Sequence, residues 1–310
     1  MKYTILIPCY NAEKYIDRCL NSLINQDHKD LEIIVLNDGS TDSSLNILNS
    51  YKEKDRRIKI ISRENKGLSV TRNDLIREVN TDYFYFIDAD DWISLDTFST
   101  FNLKLKNTDF IPDMIINSAF INKNNISKPF YITNKIDENT TNESYLINNT
   151  PYAWNILIRK EYLLKNNFSF YQEYNYFEDA GSISFWIYNT KNIIFLNKPN
   201  YHYFVDKESL SRANISFEKI SAGISQLENF YYHINSRNIS IRNNKCINDQ
   251  LAFYHSVMFS HIQFQMKRKR SEKILLKSRL KNLEKSNTHL KLPKRYWKFW
   301  YFFLYRIFGY

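Results

Sequence analysis

A chain of 310 residues with 43% hydrophobic and 25% charged side chains can bury a sizeable core, which excludes a disordered polymer. With only five glycines and six prolines it is not collagen-like or linker-rich. The net charge of +10 sits at one end. Residues 266–310 hold fourteen Lys or Arg against Glu272 and Glu284, a local +12, and the remainder is near neutral at −2. A basic end can attract nucleic acid, anionic lipid or an acidic substrate, and its confinement separates that attraction from whatever the body acts on.

Cys9, Cys19 and Cys246 are an odd number without metal-ligand spacing, so reduced thiols in a cytosolic protein are expected. The apolar stretch after Lys2 meets Pro8, Asn11 and Glu13, which argues against a signal peptide. No run of about 20 apolar residues suggests a membrane-spanning helix.

Tyr3–Pro8 and Glu32–Asn37 read as buried strands, short and rich in branched residues. Between them Tyr15, Ile16, Cys19, Leu20, Leu23 and Ile24 recur at helical spacing. A helix with Leu45 and Leu48, a strand at Ile58–Ile61, a helix across Leu68–Val79 and a strand at Tyr83–Asp88 follow. This alternation predicts a parallel, twisted sheet with helices on both faces, whose ligands sit at the carboxyl ends of the strands. From Ile111 to Arg212 the pattern becomes α+β, with shorter strands at Met114–Asn117, Ile193–Leu196 and Tyr201–Phe204 and a helix starting near Glu178. From Ile215 to about Lys285 it is mainly helical and polar.

Polar clusters fall where that rule puts them. Pro8-Cys9-Tyr10-Asn11 follows the first strand, Asn37-Asp38-Gly39-Ser40-Thr41-Asp42 the second, and Asp88-Ala89-Asp90-Asp91 the fourth. Carboxylates this close repel unless a cation neutralises them, and hard oxygen ligands suit Mg²⁺ or Mn²⁺. Mg²⁺ completes its shell with water and substrate phosphates, so a nucleoside diphosphate is implied. Acidic loops are also commonly plain caps or solvated turns. The glycine loops of P-loop NTPases and dinucleotide dehydrogenases are absent.

These clusters, with Asn65-Lys66-Gly67-Leu68-Ser69, Arg72-Asn73, Trp154-Asn155, Glu178-Asp179 and Ser209-Leu210-Ser211-Arg212, resemble in order the motifs of family 2 glycosyltransferases. The resemblance covers roughly residues 1–212. It implies an α/β fold of GT-A type, a mostly parallel Rossmann-like sheet followed by a helical C-terminal extension, and an inverting, metal-dependent enzyme with a nucleotide-sugar donor. By the same resemblance Pro8, Tyr10 and Asn11 lie beside the nucleobase, Asp38 binds base or ribose, and Asp42 lies next to it. Asn65, Gly67 and Arg72 flank the uridine and diphosphate. Asp90 takes the metal (Mg²⁺ or Mn²⁺), Asp88 takes the ribose, and Asp91 shares either role. Asp179 is the general base, with Glu178 and Trp154 toward the acceptor. Arg212, with His202 as a second candidate, faces the phosphates. Ile156 stands where many relatives carry a lysine, so that lysine's contacts have no counterpart here. Local alternatives stand beside these roles: a helix cap for Asp42, core packing for Trp154, a helix-start charge for Asp179 and a strand position for His202.

The resulting organisation is a nucleotide-sugar-binding half (1–110), an acceptor-binding half (111–212), a helical extension (213–290) and a basic aromatic tail (291–310). In that tail Lys291, Lys294, Arg295, Lys298 and Arg306 gather on about a third of a helical wheel. Trp297, Phe299, Trp300, Phe303, Leu304, Ile307 and Phe308 cover most of the rest, a composition suited to a membrane headgroup region. Expected partners are therefore a nucleotide-sugar donor, a glycan or lipid-linked glycan acceptor and the inner face of the cytoplasmic membrane, and not nucleic acid. Docking of the tail on the body, or pairing into a homodimer, is the alternative. A nucleotidyltransferase lacks support, because it needs a glycine-rich loop after the first strand. An inactive nucleotide-sugar binder and a nucleic-acid binder remain as rivals.

Overall fold

The structure, a computed structural model, describes residues 1–130, 152–172, 178–190, 192–205, 217–236 and 270–286. The chain divides into two compact units, Met1–Gln172 with Ser182–Lys207, and Glu173–Gly181 with Glu208–Tyr310.

The first unit is built on a nine-stranded sheet. Its opening half runs β1 (Tyr3–Cys9), α1 (Ile16–Ile24), β2 (Leu31–Asp38), α2 (Ser44–Lys54), β3 (Ile58–Arg63), α3 (Leu68–Arg77) and β4 (Tyr83–Phe86). Every residue of β1 is buried, as a central strand covered on both faces requires. In α1, Ile16, Cys19, Leu20 and Leu23 form the buried stripe that the helical spacing predicts. The strands β1, β2, β3 and β4 pair in parallel in the spatial order β3-β2-β1-β4. The chain winds one way from β1 to β3 and returns across β1 to β4. The switch point therefore lies between the carboxyl ends of β1 and β4, where such sheets bind ligands.

The second half carries the α+β pattern expected from Ile111 onward. It comprises β5 (Trp92–Ile93), α4 (Thr97–Lys106), β6 (Met114–Lys123), β7 (Ile126–Phe130), a 3₁₀ turn at Ala153–Asn155, β8 (Ile156–Arg159), α5 (Lys160–Asn166), α6 (Glu178–Asn189) and β9 (Ile193–Phe204). Here β4–β8, β8–β6, β6–β7 and β5–β9 are antiparallel and only β6–β9 is parallel, so the sheet is mixed. The β6–β7 hairpin turns at Asn124 and Asn125, both at positive φ (51° and 63°), a conformation asparagine tolerates. The two strands expected at Ile193–Leu196 and Tyr201–Phe204 are one strand, β9. Asn197-Lys198-Pro199-Asn200 reads as a turn but is absorbed as a register shift against Asn117–Ala119, with Pro199 contributing no N–H to the ladder.

A two-way bond ties α3 to the segment after α5. The Asn73 amide donates to the Phe170 carbonyl and accepts from the Phe170 N–H, both at 2.8 Å. Asn73 and Phe170 are buried, so Asn73 of the Arg72-Asn73 motif serves the fold.

In the second unit, α7 (Phe217–Ser236) and α8 (Arg270–Ser286) lie within the stretch expected to be helical. Arg279 joins them, donating to Glu228 and to the hydroxyls of Ser221 and Ser225 at 2.6–3.2 Å. Among the described residues no helix is long and apolar enough to cross a membrane. The tail 291–310 lies outside them.

Asn73→Ala strips both partners from the buried Phe170 backbone, and each lost partner costs about 1–3 kcal/mol. A fall of about 2–4 kcal/mol in unfolding free energy is expected, and urea denaturation followed by tryptophan fluorescence measures it.

Candidate donor site

The loops after β1 and β2 are laced together. Asn11 sits at φ 47°. Its N–H donates to Ser40 Oγ (3.0 Å) and its side-chain oxygen accepts from the Thr41 N–H (2.8 Å). Asp42 accepts from the N–H groups of Glu13 and Ser44, both at 3.0 Å. Burial raises the Asp42 pKa, but hydrogen bonds from Ser44 and Glu13 outweigh it and hold the carboxyl below its usual range. Asp42 closes an Asx turn leading into α2 and braces the neighbouring loop. Tyr10 is about half exposed, and Pro8 is buried in β1.

The loop before α3 is organised by Asp38. The Asp38 carboxylate accepts from Arg63 Nε (3.0 Å) and from the N–H groups of Lys66 (3.0 Å) and Gly67 (2.8 Å). Asn65 Nδ2 donates to the Asp38 carbonyl (2.8 Å). With three protein donors and a side chain only 4% exposed, Asp38 holds the loop of Asn65 and Gly67; it does not present its carboxylate outward. Arg63 is shared onward with Asp74 and Thr71. Gly39, at φ +74°, presses on this loop so closely that a Cβ would lie 2.6 Å from the Asn65 nitrogen, which is why glycine follows Asp38.

The acidic turn follows β4. Asp88 is 28% exposed at its side chain and accepts from the buried Arg72 (3.0 Å), whose guanidinium lies against the rings of Phe86 and Phe170. Asp91 points the other way. It is 0% exposed, and its oxygens accept from the Tyr201 hydroxyl (2.6 Å) and the Phe204 N–H (2.7 Å). The Tyr201 oxygen in turn accepts from the Asp88 N–H (3.2 Å), and the Asp91 N–H closes the turn on the Asp88 carbonyl (3.0 Å). Burial first, then Asp90 and Asp88, push the Asp91 carboxyl well above its usual range. Asp91 anchors the turn from inside. Asp88 and Asp90 are both part-exposed.

Among the described residues no group of three or more His, Cys, Asp or Glu side chains is arranged to hold a metal ion by itself. Two part-exposed carboxylates are a donor set that fits a Mg²⁺-type ion completed by diphosphate oxygens and water.

Trp154 is 5% exposed and stacks on Tyr152, Tyr201 and Tyr203, with centroids 4.4–5.6 Å apart. This stack packs behind the Tyr201–Asp91 bond. His202 is stacked between Trp92 and Phe120, with Nε2 at 3.1 Å from Ser94 Oγ. Burial, with Arg18 adding to it, pushes His202 down to about 4, so the ring is neutral at neutral pH.

Sequence reasoning missed Arg18. Its guanidinium lies 3.9 Å from the Trp92 centroid and 4.3 Å from that of Phe204, and it donates to the Asp90 carbonyl (2.7 Å). Nothing in the helical spacing of α1 marks it. Asp179 is part-buried in the first turn of α6, in the second unit, while the Glu178 side chain and Arg212 lie outside the described residues.

A mixed sheet whose parallel half ends in an acidic turn and two laced loops, without a P-loop, defines a GT-A-type fold. The model of the family described as Glycosyl transferase family 2 matches residues 4–165, and the chain belongs to that family. It is 31% identical over 225 residues to glycosyltransferase GlyA of Streptococcus pneumoniae serotype 4, covering 68% of this chain and 32% of that protein. It is 29% identical over 223 residues to the processive diacylglycerol beta-glycosyltransferase of Mycoplasma genitalium, covering 67% and 65%. The chain thus spans about a third of the first relative and just under two thirds of the second. The structure of S. aureus TarS 1–349 in complex with UDP-GlcNAc superposes with a TM-score of 0.69 at 21% identity, covering 95% of this chain and 82% of that one.

A histidine held neutral makes stability depend on pH. Between about 6.5 and 4 the unfolded chain binds a proton at position 202 that the folded chain refuses, so stability is intact above pH 6.5 and falls as pH drops toward 4. For a part-buried ring, screening reduces the effect to about 1–2 kcal/mol. His202→Phe should flatten that part of the pH dependence, as read by melting temperature from pH 7 to 4.

Proposed function

We propose that this chain is an inverting, metal-dependent glycosyltransferase. It moves one sugar from a UDP-linked donor to a hydroxyl of a growing, lipid-linked surface glycan. The observation that carries the reading is the pair of part-exposed carboxylates, Asp88 and Asp90, at the switch point of a sheet that belongs to family 2. Two similar proteins support the reading: S. aureus TarS forms a complex with UDP-GlcNAc, and the Mycoplasma genitalium relative is a processive diacylglycerol beta-glycosyltransferase. Capsule, exopolysaccharide or lipopolysaccharide assembly is the matching setting.

In this scheme half-exposed Tyr10, with Pro8 and Asn11, borders the base. The loop of Asn65 and Gly67, braced by Asp38, borders the uridine and diphosphate. Asp88, fixed by Arg72, accepts hydrogen bonds from the ribose. Asp90, with Asp88 beside it, would hold Mg²⁺ or Mn²⁺, which when bound neutralises charge gathering on the leaving diphosphate. Asp179 takes the proton of the acceptor hydroxyl as its oxygen bonds to the anomeric carbon and the bond to the diphosphate oxygen breaks. Such base assistance contributes about 10²–10⁴-fold. Glu178 is assigned to the acceptor and Arg212 to the diphosphate by their motif positions.

The enzyme works in the cytoplasm, at the inner face of the membrane, held there by residues 291–310. Lys267, Arg268, Lys269 and Arg270 add electrostatic attraction of about 1 kcal/mol each near an anionic surface.

Thermal shift of the wild type and Asp179→Asn against a panel of nucleotide sugars, with Mn²⁺ or EDTA, tests the reaction. Both proteins should be stabilised by one UDP-sugar, more strongly with Mn²⁺, and only the wild type should release UDP with acceptor. Indifference of the wild type to every donor in both conditions overturns the reading, and turnover by Asp179→Asn removes that residue as base. For the tail, a chain lacking residues 291–310 should stay in the supernatant when centrifuged with anionic vesicles that pellet the full chain; equal pelleting refutes the anchor.

A further inference from the structure

The acidic turn is braced from two sides, and one brace has no counterpart among the motif residues. Arg18 projects from α1 and touches three parts of the turn's support. Its terminal nitrogen donates to the Asp90 carbonyl at 2.7 Å. Its guanidinium plane lies over Trp92, the residue that follows Asp91. It also lies over Phe204, whose N–H holds Asp91 Oδ1. The turn from Asp88 to Trp92 and the end of β9 are therefore fastened to each other by Asp91 and to α1 by Arg18.

We propose that Arg18 is a positioning residue for the donor edge: its guanidinium, lying against the rings of Trp92 and Phe204, fixes the main chain at Asp90 and so sets where the Asp88 and Asp90 carboxylates stand. This rests on the reading that the edge takes a nucleoside-diphosphate sugar. The chemistry of the seat selects arginine. A planar, weakly hydrated fork can stack between two aromatic rings while still donating in its plane to a carbonyl, whereas a lysine ammonium is a compact, strongly hydrated point charge. If net positive charge near Asp90 and Asp91 were the whole contribution, lysine would serve equally. Contact with two rings and a main-chain carbonyl at once is what a lysine ammonium does not reproduce.

The test uses the full chain with Arg18→Gln and Arg18→Lys, measured two ways. In steady-state transfer with Mn²⁺, both variants should raise the donor KM at least tenfold while kcat falls less than threefold, and Arg18→Lys should recover no more than threefold of the loss. In hydrogen exchange, residues 89–93 and 201–205 should exchange at least tenfold faster in both variants while β2 stays unchanged. Wild-type donor KM in Arg18→Gln, full recovery in Arg18→Lys, or unchanged exchange at 89–93 each overturns the proposal. If the wild type binds no sugar nucleotide at all, the donor reading falls by itself, and the exchange comparison decides whether Arg18 positions the turn.

Discussion

The donor edge depends on a carboxylate that never reaches it. Asp91 is removed from water, and burying an ionisable group without partners costs several kcal/mol or forces it to neutralise. Two short hydrogen bonds, from the Tyr201 hydroxyl and the Phe204 amide, are what make the arrangement tolerable. Because Tyr201 also receives the Asp88 amide, one phenol joins β9 to both ends of the acidic turn. The Trp154 stack then seats that phenol's ring. Three residues that a motif reading assigns to ligand or acceptor are thus divided: Asp88 faces the edge, while Asp91 and Trp154 form the support behind it.

The same division recurs beside β2. A buried acid, Asp38, takes three protein donors and shapes a loop whose backbone and side chains remain for a ligand. In both places an inward carboxylate fixes the geometry of a neighbouring segment. Preorganisation of this kind lets a binding edge hold its shape before the ligand arrives. It also explains why acids recur in these loops without forming a complete metal cage.

Much of the first half was legible because its signals are local. The strands β1 and β2 are continuous apolar runs, α1 has one clean stripe, and the polar clusters follow strand ends, so order and edge could be read from spacing. The second half depends on pairings far apart in the chain. Whether Asn197–Asn200 ends a strand or bulges within it is decided by β6, some eighty residues earlier, and the mixed sheet follows from such pairings. The Asn124-Asn125 turn offered a local signal that went unread. Within the site, motifs located Asp38, Asp42, Asp88 and Asp91 but not the direction each carboxylate points, because that is fixed by partners such as Arg63, Tyr201 and Phe204. Arg18 left no mark at all, since its rings come from residues 92 and 204.

The order of strands carries a consequence for solution behaviour. Among the described residues the outermost members of the main path are β3, six residues long and bearing Lys59 and Arg63, and β5, only two residues long. Long, flat, apolar borders recruit other chains through their unpaired backbone groups, and charged or very short borders do not. Along this path the sheet therefore offers no long, flat, apolar border to another chain.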